Sequence, residues 1–68
     1  MIKTNELVAE RARAGLTQRD AADACGCSVN TYGRKESGKA LFTLDEVIKL
    51  CEALHIDDPG RRAYIFLS

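Results

Sequence analysis

Between Gln18 and Lys39 the chain collects side chains suited to nucleic-acid recognition. Val29, Asn30, Thr31 and Arg34 stand within one short run, and Gln18, Arg19, Lys35 and Lys39 stand near it. An arginine can donate twice to guanine, an asparagine can pair with adenine, and valine or threonine methyls can touch the methyl of thymine. A good bidentate contact of this kind adds about 1–3 kcal/mol of base discrimination. Asn30 and Thr31 suit phosphate oxygens equally well. Arg19, Lys35 and Lys39 are cations for a phosphate backbone, and the amides around Gly38 and Lys39 can face a phosphate too. Gln18 lies where free amides at a helix start can bind the same group. Each also has a plainer reading: Arg19 and Gln18 as solvated surface, Lys39 as a loop lysine, and Lys35 as a stem that packs while its ammonium reaches water.

These side chains need two helices to position them. Thr17 can cap one over about Gln18–Cys25, and Ser28 a second over about Val29–Glu36. Ala21 and Ala22 offer small side chains where a second helix must come close. Gly26 supplies the residue able to take positive φ as the first helix ends. With Cys25 and Tyr32 turned inward, Val29, Asn30, Thr31 and Arg34 remain on the exposed side. Small residues in the first helix, glycine in the turn and a polar second helix describe a helix-turn-helix, whose second helix enters the DNA major groove. Gly33 breaks a local rule, since glycine inside a helix costs about 1 kcal/mol relative to alanine. Either backbone approaches phosphate or base closely there, or the defect is simply tolerated.

Gly15-Leu16-Thr17-Gln18, Ala21-Ala22, Gly26-Cys27-Ser28, Asn30-Thr31 and Glu36-Ser37-Gly38-Lys39, in this order and spacing, resemble the phage repressor and Cro type of helix-turn-helix domain (lambda-repressor-like, XRE-type). The likeness extends from about Leu7 to Leu67 and is strongest to small phage and prophage regulators that end in an Ile-Phe-Leu or Ile-Phe-Phe segment. It implies a compact all-α fold of five helices and a transcriptional regulator that binds double-stranded operator DNA as a homodimer. It implies an ion pair between Arg11 and Glu36, with phosphate contact as the other reading of Arg11. It also implies that Gln18 touches phosphate and braces a base-reading side chain. Lys35 stands where many relatives place an apolar residue, and His55 where many place the glycine that ends a helix.

The rest of the chain frames this unit. Sixty-eight residues make one domain with a marginal core. No apolar stretch approaches the ~20 residues of a membrane span, and the N-terminus carries no export pattern, so a cytoplasmic location is expected. Ten basic and ten acidic residues cancel, which argues mildly against nucleic acid. The distribution argues back: from Arg11 to Lys39, six basic residues face three acidic ones, whereas from Ala40 onward three face five. A first helix is expected over about Asn5–Ala14, capped by Thr4 or Asn5 and stopped at Gly15. Leu41 or Phe42 should anchor the segment after Gly38. Thr43 and Glu46 form a capping box, followed by an apolar face of Leu44, Val47, Ile48, Cys51 and Leu54. Asp58 and Pro59 open a last helix. The run Ala63–Leu67 is too continuous for one helix face, so Tyr64, Ile65 and Phe66 either form a homodimer seam or complete the core.

Cys25, Cys27 and Cys51 with His55 make a poor zinc set, because structural sites use pairs two to four residues apart and four ligands in all. The cysteines fall where small apolar residues fit, and no metal or cofactor is expected. No catalytic set can be assembled from one histidine and a small helical core. The alternative to DNA recognition is a protein-interaction module on the same scaffold, antirepressor-like or antitoxin-like, which the zero net charge suits somewhat better.

Overall fold

The computed structural model describes residues 2–67 and contains five helices among them: α1 (Thr4–Arg13), α2 (Gln18–Cys25), α3 (Val29–Glu36), α4 (Leu44–Ala53) and α5 (Pro59–Phe66). Four of them start on a side-chain cap. In α2 the Thr17 hydroxyl accepts from the Asp20 amide at 3.1 Å, and the Asp20 carboxylate accepts from the Thr17 amide at 2.9 Å, so aspartate closes a capping box. Thr43 and Glu46 make the same reciprocal pair on α4. Ser28 accepts from the Thr31 amide and Asp58 from the Arg61 amide. Each cap satisfies an amide that has no partner within its helix.

The exception is α1, whose N-cap is Lys3 and not Thr4 or Asn5, with no side-chain cap. A tertiary bond replaces it: the Lys3 amide donates to the Ile65 carbonyl at 2.7 Å, and the Lys3 carbonyl accepts from Leu7 at 3.1 Å. This single backbone bond to the end of α5 stands at the point where α1 begins. At the other end of the chain's helices, Gly26 ends α2 at φ 79°, its amide shared between the Ala22 and Asp23 carbonyls, while Cys27 donates to Ala22. His55 does the same work after α4 at φ 58°, the one positive-φ residue other than glycine among the described residues. Its amide donates to Glu52 and that of Ile56 to Cys51.

The core gathers Leu7, Ala21, Ala22, Cys25, Tyr32, Leu50, Cys51, Leu54, Ile56, Ile65 and Phe66. Of the α4 face expected from spacing, Cys51 and Leu54 are buried and Val47 packs at the edge, but Leu44 and Ile48 are exposed. Leu50 fills the centre instead. α4 packs against α2, and the side it turns inward carries Leu50, Cys51 and Leu54. Phe42, not Leu41, anchors the α3–α4 connection: its ring stands edge-on to Tyr32 at 6.0 Å and to Phe66 at 5.6 Å, while Leu41 is 89% exposed. No helix among the described residues is long and apolar enough to cross a membrane.

Candidate nucleic-acid interface

The alanines at the α2–α3 crossing are fully buried, so the two helices meet nearly backbone to backbone. This contact, with Tyr32 and Glu36 beneath it, holds the inner side of α3 and leaves the outer side free. Asn30 and Arg34 are exposed, with no side-chain partner among the described residues. Val29 and Thr31 are half-buried at the rim. The Thr31 hydroxyl accepts from Ser28 at 2.9 Å, which occupies part of its polar capacity in the cap. The sequence-expected base-facing set therefore lies together on one helix, with Asn30 and Arg34 at its most accessible edge.

Under α3 lies a polar knot that joins three helices. Glu36, 3% exposed, accepts from Arg11 Nε at 2.8 Å and Nη2 at 3.3 Å, from Gln18 Nε2 at 3.0 Å and from the Tyr32 hydroxyl at 2.7 Å. The other arm of Arg11 donates to the Leu16 carbonyl at 2.9 Å. Burial alone would push the Glu36 carboxyl up, but these donors together outweigh it and hold it below the ordinary value. Burial, with the bond to Glu36 second, pushes the Tyr32 hydroxyl well above its usual range. The knot ties α3 to α1 and α2, and it commits three of the five Arg11 N–H donors within the chain.

Gln18 is anchored by the same knot. One N–H of its amide is committed to Glu36, while the residue itself stays exposed, so the amide is held beside α3 with polar capacity to spare. Beside it, the amides of Gln18 and Arg19 precede the first intrahelical bond, from Ala21 to the Thr17 carbonyl. They have no partner among the described residues. Arg19 and Lys39 are exposed and unpaired likewise.

Lys35 departs from its expected place at a phosphate. Its ammonium pairs with Glu46 at 2.5 Å, both side chains only 13% exposed. The hydrogen bond to Glu46 raises the Lys35 value and lowers that of Glu46, so the pair is charged and ties α3 to α4. The stem fills the site where an apolar side chain would sit and the charge is matched locally. The amides expected to face a phosphate near Gly38 are occupied as well: Gly38 donates to the Lys35 carbonyl, and Lys39 and Ala40 donate to that of Arg34.

The three residues expected at a dimer seam divide between core and surface. Ile65 is fully buried and Phe66 9% exposed, both within the core of their own chain. Tyr64 is half-exposed, flanked by the Lys3 ammonium at 5.0 Å and the Arg61 guanidinium at 5.5 Å from its ring centre. The run is accommodated because the start of α1 covers one side of α5 and Phe42 another. Exposed apolar surface lies elsewhere, on Leu41, Leu44, Ile48 and Leu67, around a groove between the α3–α4 connection, α4 and α5.

The cysteines sit in and beside the core. Burial pushes the Cys25 thiol up to about 11 and raises that of Cys51, which lowers their thiolate fraction at neutral pH. Sequence reasoning missed the Asp20 half of the α2 capping box, the Lys35–Glu46 pair and the place of Tyr32 in the knot. Asp20, three residues after Thr17, carried a local signal; the other two depend on tertiary packing.

Comparison with known proteins agrees with this geometry. The profile of a family described as "Helix-turn-helix domain" matches residues 5–64. The chain is 36% identical over 56 residues to the "Cryptic phage CTXphi transcriptional repressor RstR" of Vibrio cholerae serotype O1, an alignment covering 81% of this chain and 50% of that protein. The chain thus spans about half the length of this curated relative. No solved structure gives a significant match.

Proposed function

The chain belongs to the helix-turn-helix domain family, and from that premise we propose that it is a sequence-specific DNA-binding transcriptional regulator of the phage repressor type. The observation that carries this reading is the outer side of α3, where Asn30 and Arg34 are exposed and unpaired while Tyr32 and Glu36 lock the inner side. A helix held on one face and polar on the other is what the major groove admits. Val29, Asn30, Thr31 and Arg34 read base edges. Gln18, Arg19 and Lys39 hold phosphates, and the free amides at the start of α2 add to that grip. The protein acts in the cytoplasm as a homodimer on two half-sites about 34–36 Å apart, joined through the apolar rim of Leu41, Leu44, Ile48 and Leu67. It needs no metal or cofactor, and binding is its activity.

Selection of bound duplexes from a random-oligonucleotide pool tests this reading. The wild-type protein should enrich a two-fold symmetric motif, and Arg34→Ala should lose about ten- to hundredfold in affinity for it. Failure to enrich any motif at moderate salt would defeat the proposal. A second reading rests on that same apolar rim together with the balanced net charge: the scaffold serves as a protein-interaction module, antirepressor-like or antitoxin-like. In that case Arg34→Ala leaves partner binding intact.

A further inference from the structure

Five glycines occur in the chain, and four have a reason internal to the protein. Gly15, Gly26 and Gly38 take φ of 74°, 79° and 84°, which side chains resist. Gly60 lies under the Asp58 cap, whose carboxylate oxygen would stand 3.3 Å from an added Cβ. Gly33 has neither reason. It is in the middle of α3 with ordinary helical backbone, and a Cβ there would meet nothing closer than the Gln18 amide at 4.0 Å. Alanine would fit, and would favour the helix.

A local rule broken without internal compensation points outside the chain. The Gly33 position lies on the flank of α3 turned toward α2, where the Gln18 amide stands over it. Asn30 precedes it by three residues and Arg34 follows it directly. This places a half-exposed stretch of main chain, without a side chain, between the free amides at the start of α2 and the exposed edge of α3. We propose that Gly33 is a clearance residue: its missing side chain lets the sugar–phosphate backbone of one DNA strand, held by Gln18 and the α2 amides, settle against the α3 main chain. The inference rests on the DNA-binding reading and adds to it a steric requirement that no side-chain contact supplies. Because the strand backbone is what approaches, the requirement is independent of base sequence.

The test compares wild type with Gly33→Ala and Gly33→Ser on the duplex selected by the wild-type protein and on an unrelated duplex of equal length. Gly33→Ala should raise Tm by about 4–8 °C, yet weaken binding to both duplexes by about tenfold or more, with Gly33→Ser weaker still. A variant that melts higher but binds worse cannot owe its loss to misfolding. Equal or tighter binding by Gly33→Ala would overturn the proposal, as would a loss confined to the selected duplex, which would make Gly33 part of base reading. If the wild-type protein selects no duplex at all, the DNA-binding reading itself has failed, and that outcome is separate from the first two.

Discussion

Replacing Glu36 by glutamine probes the contact on which the placement of α3 depends. The carboxylate is 3% exposed and accepts from Arg11 twice, from Gln18 and from Tyr32. Glutamine keeps the shape and one acceptor oxygen, but removes the charge and turns an NH2 toward donors. Arg11 then keeps at most one of its two bonds to residue 36, beside the Leu16 carbonyl, and loses the opposite charge. Removing one partner of a buried pair costs about 3–5 kcal/mol. The Arg11 side chain is still 16% exposed, so the cost should fall near the low end, about 3 kcal/mol. For a chain of this size the whole stability is about 3–10 kcal/mol, and the melting temperature should drop by roughly 12–24 °C. Thermal and urea melts followed by circular dichroism at 222 nm measure this directly.

The same variant makes a statement about pH. Glu36 is held below its ordinary value in the folded state, so its contribution is fully present above the unfolded carboxylate value of about 4.3 and fades as pH falls through the lower folded value. Wild-type stability should decline in acid, and Glu36→Gln should flatten part of that decline. Glu46 and Asp20, lowered by their bonds to Lys35 and Thr17, supply the remainder. A double-mutant cycle with Arg11→Met should show a coupling of about 1–3 kcal/mol. The reasoning is refuted if Glu36→Gln costs less than about 1 kcal/mol, or if the acid limb is unchanged and the two substitutions are additive.

Three further outcomes follow from particular residues. His55→Gly should stabilise the fold by up to about 1 kcal/mol, because a left-handed φ of 58° strains any residue with a Cβ; an unchanged or lower melting temperature would contradict this. Lys39→Ala should reduce the magnitude of the slope of log affinity against log salt by about 1, whereas Lys35→Ala, whose ammonium is matched by Glu46, should leave that slope alone and lower stability by about 1 kcal/mol. Sedimentation of wild type and Leu44→Glu tests the apolar rim: the wild type should sediment as a dimer and the variant as a monomer, and a monomer in both would remove the dimer from the proposal.

Much of this protein was legible along the chain because its signals are local. Thr17, Ser28, Thr43 and Asp58 announce helix starts through bonds that span three residues, and Gly26 announces a stop through a backbone angle it alone adopts cheaply. Such bonds depend on neighbours in sequence, so the boundaries of α2 and α3 and the helix-turn-helix between them could be read without a structure. The resemblance carried the Arg11–Glu36 pair, since two residues 25 positions apart give no periodic sign of contact. What remained ambiguous was every side chain able to do two things.

Tertiary packing decided between the two for Lys35, Ile65 and Phe66. Lys35 was drawn inward because Glu46, fixed by its own capping box, stood opposite it. Ile65 and Phe66 went into the core because Lys3 pairs with Ile65 and Phe42 covers Phe66, and α4 packs against α2 with Leu50 turned inward and Leu44 outward. Composition and spacing determine which residues are apolar or charged and where helices begin. Which of two available partners a side chain takes is decided by elements distant in sequence, because the energy of burying a methylene or matching a charge depends on what the fold brings against it.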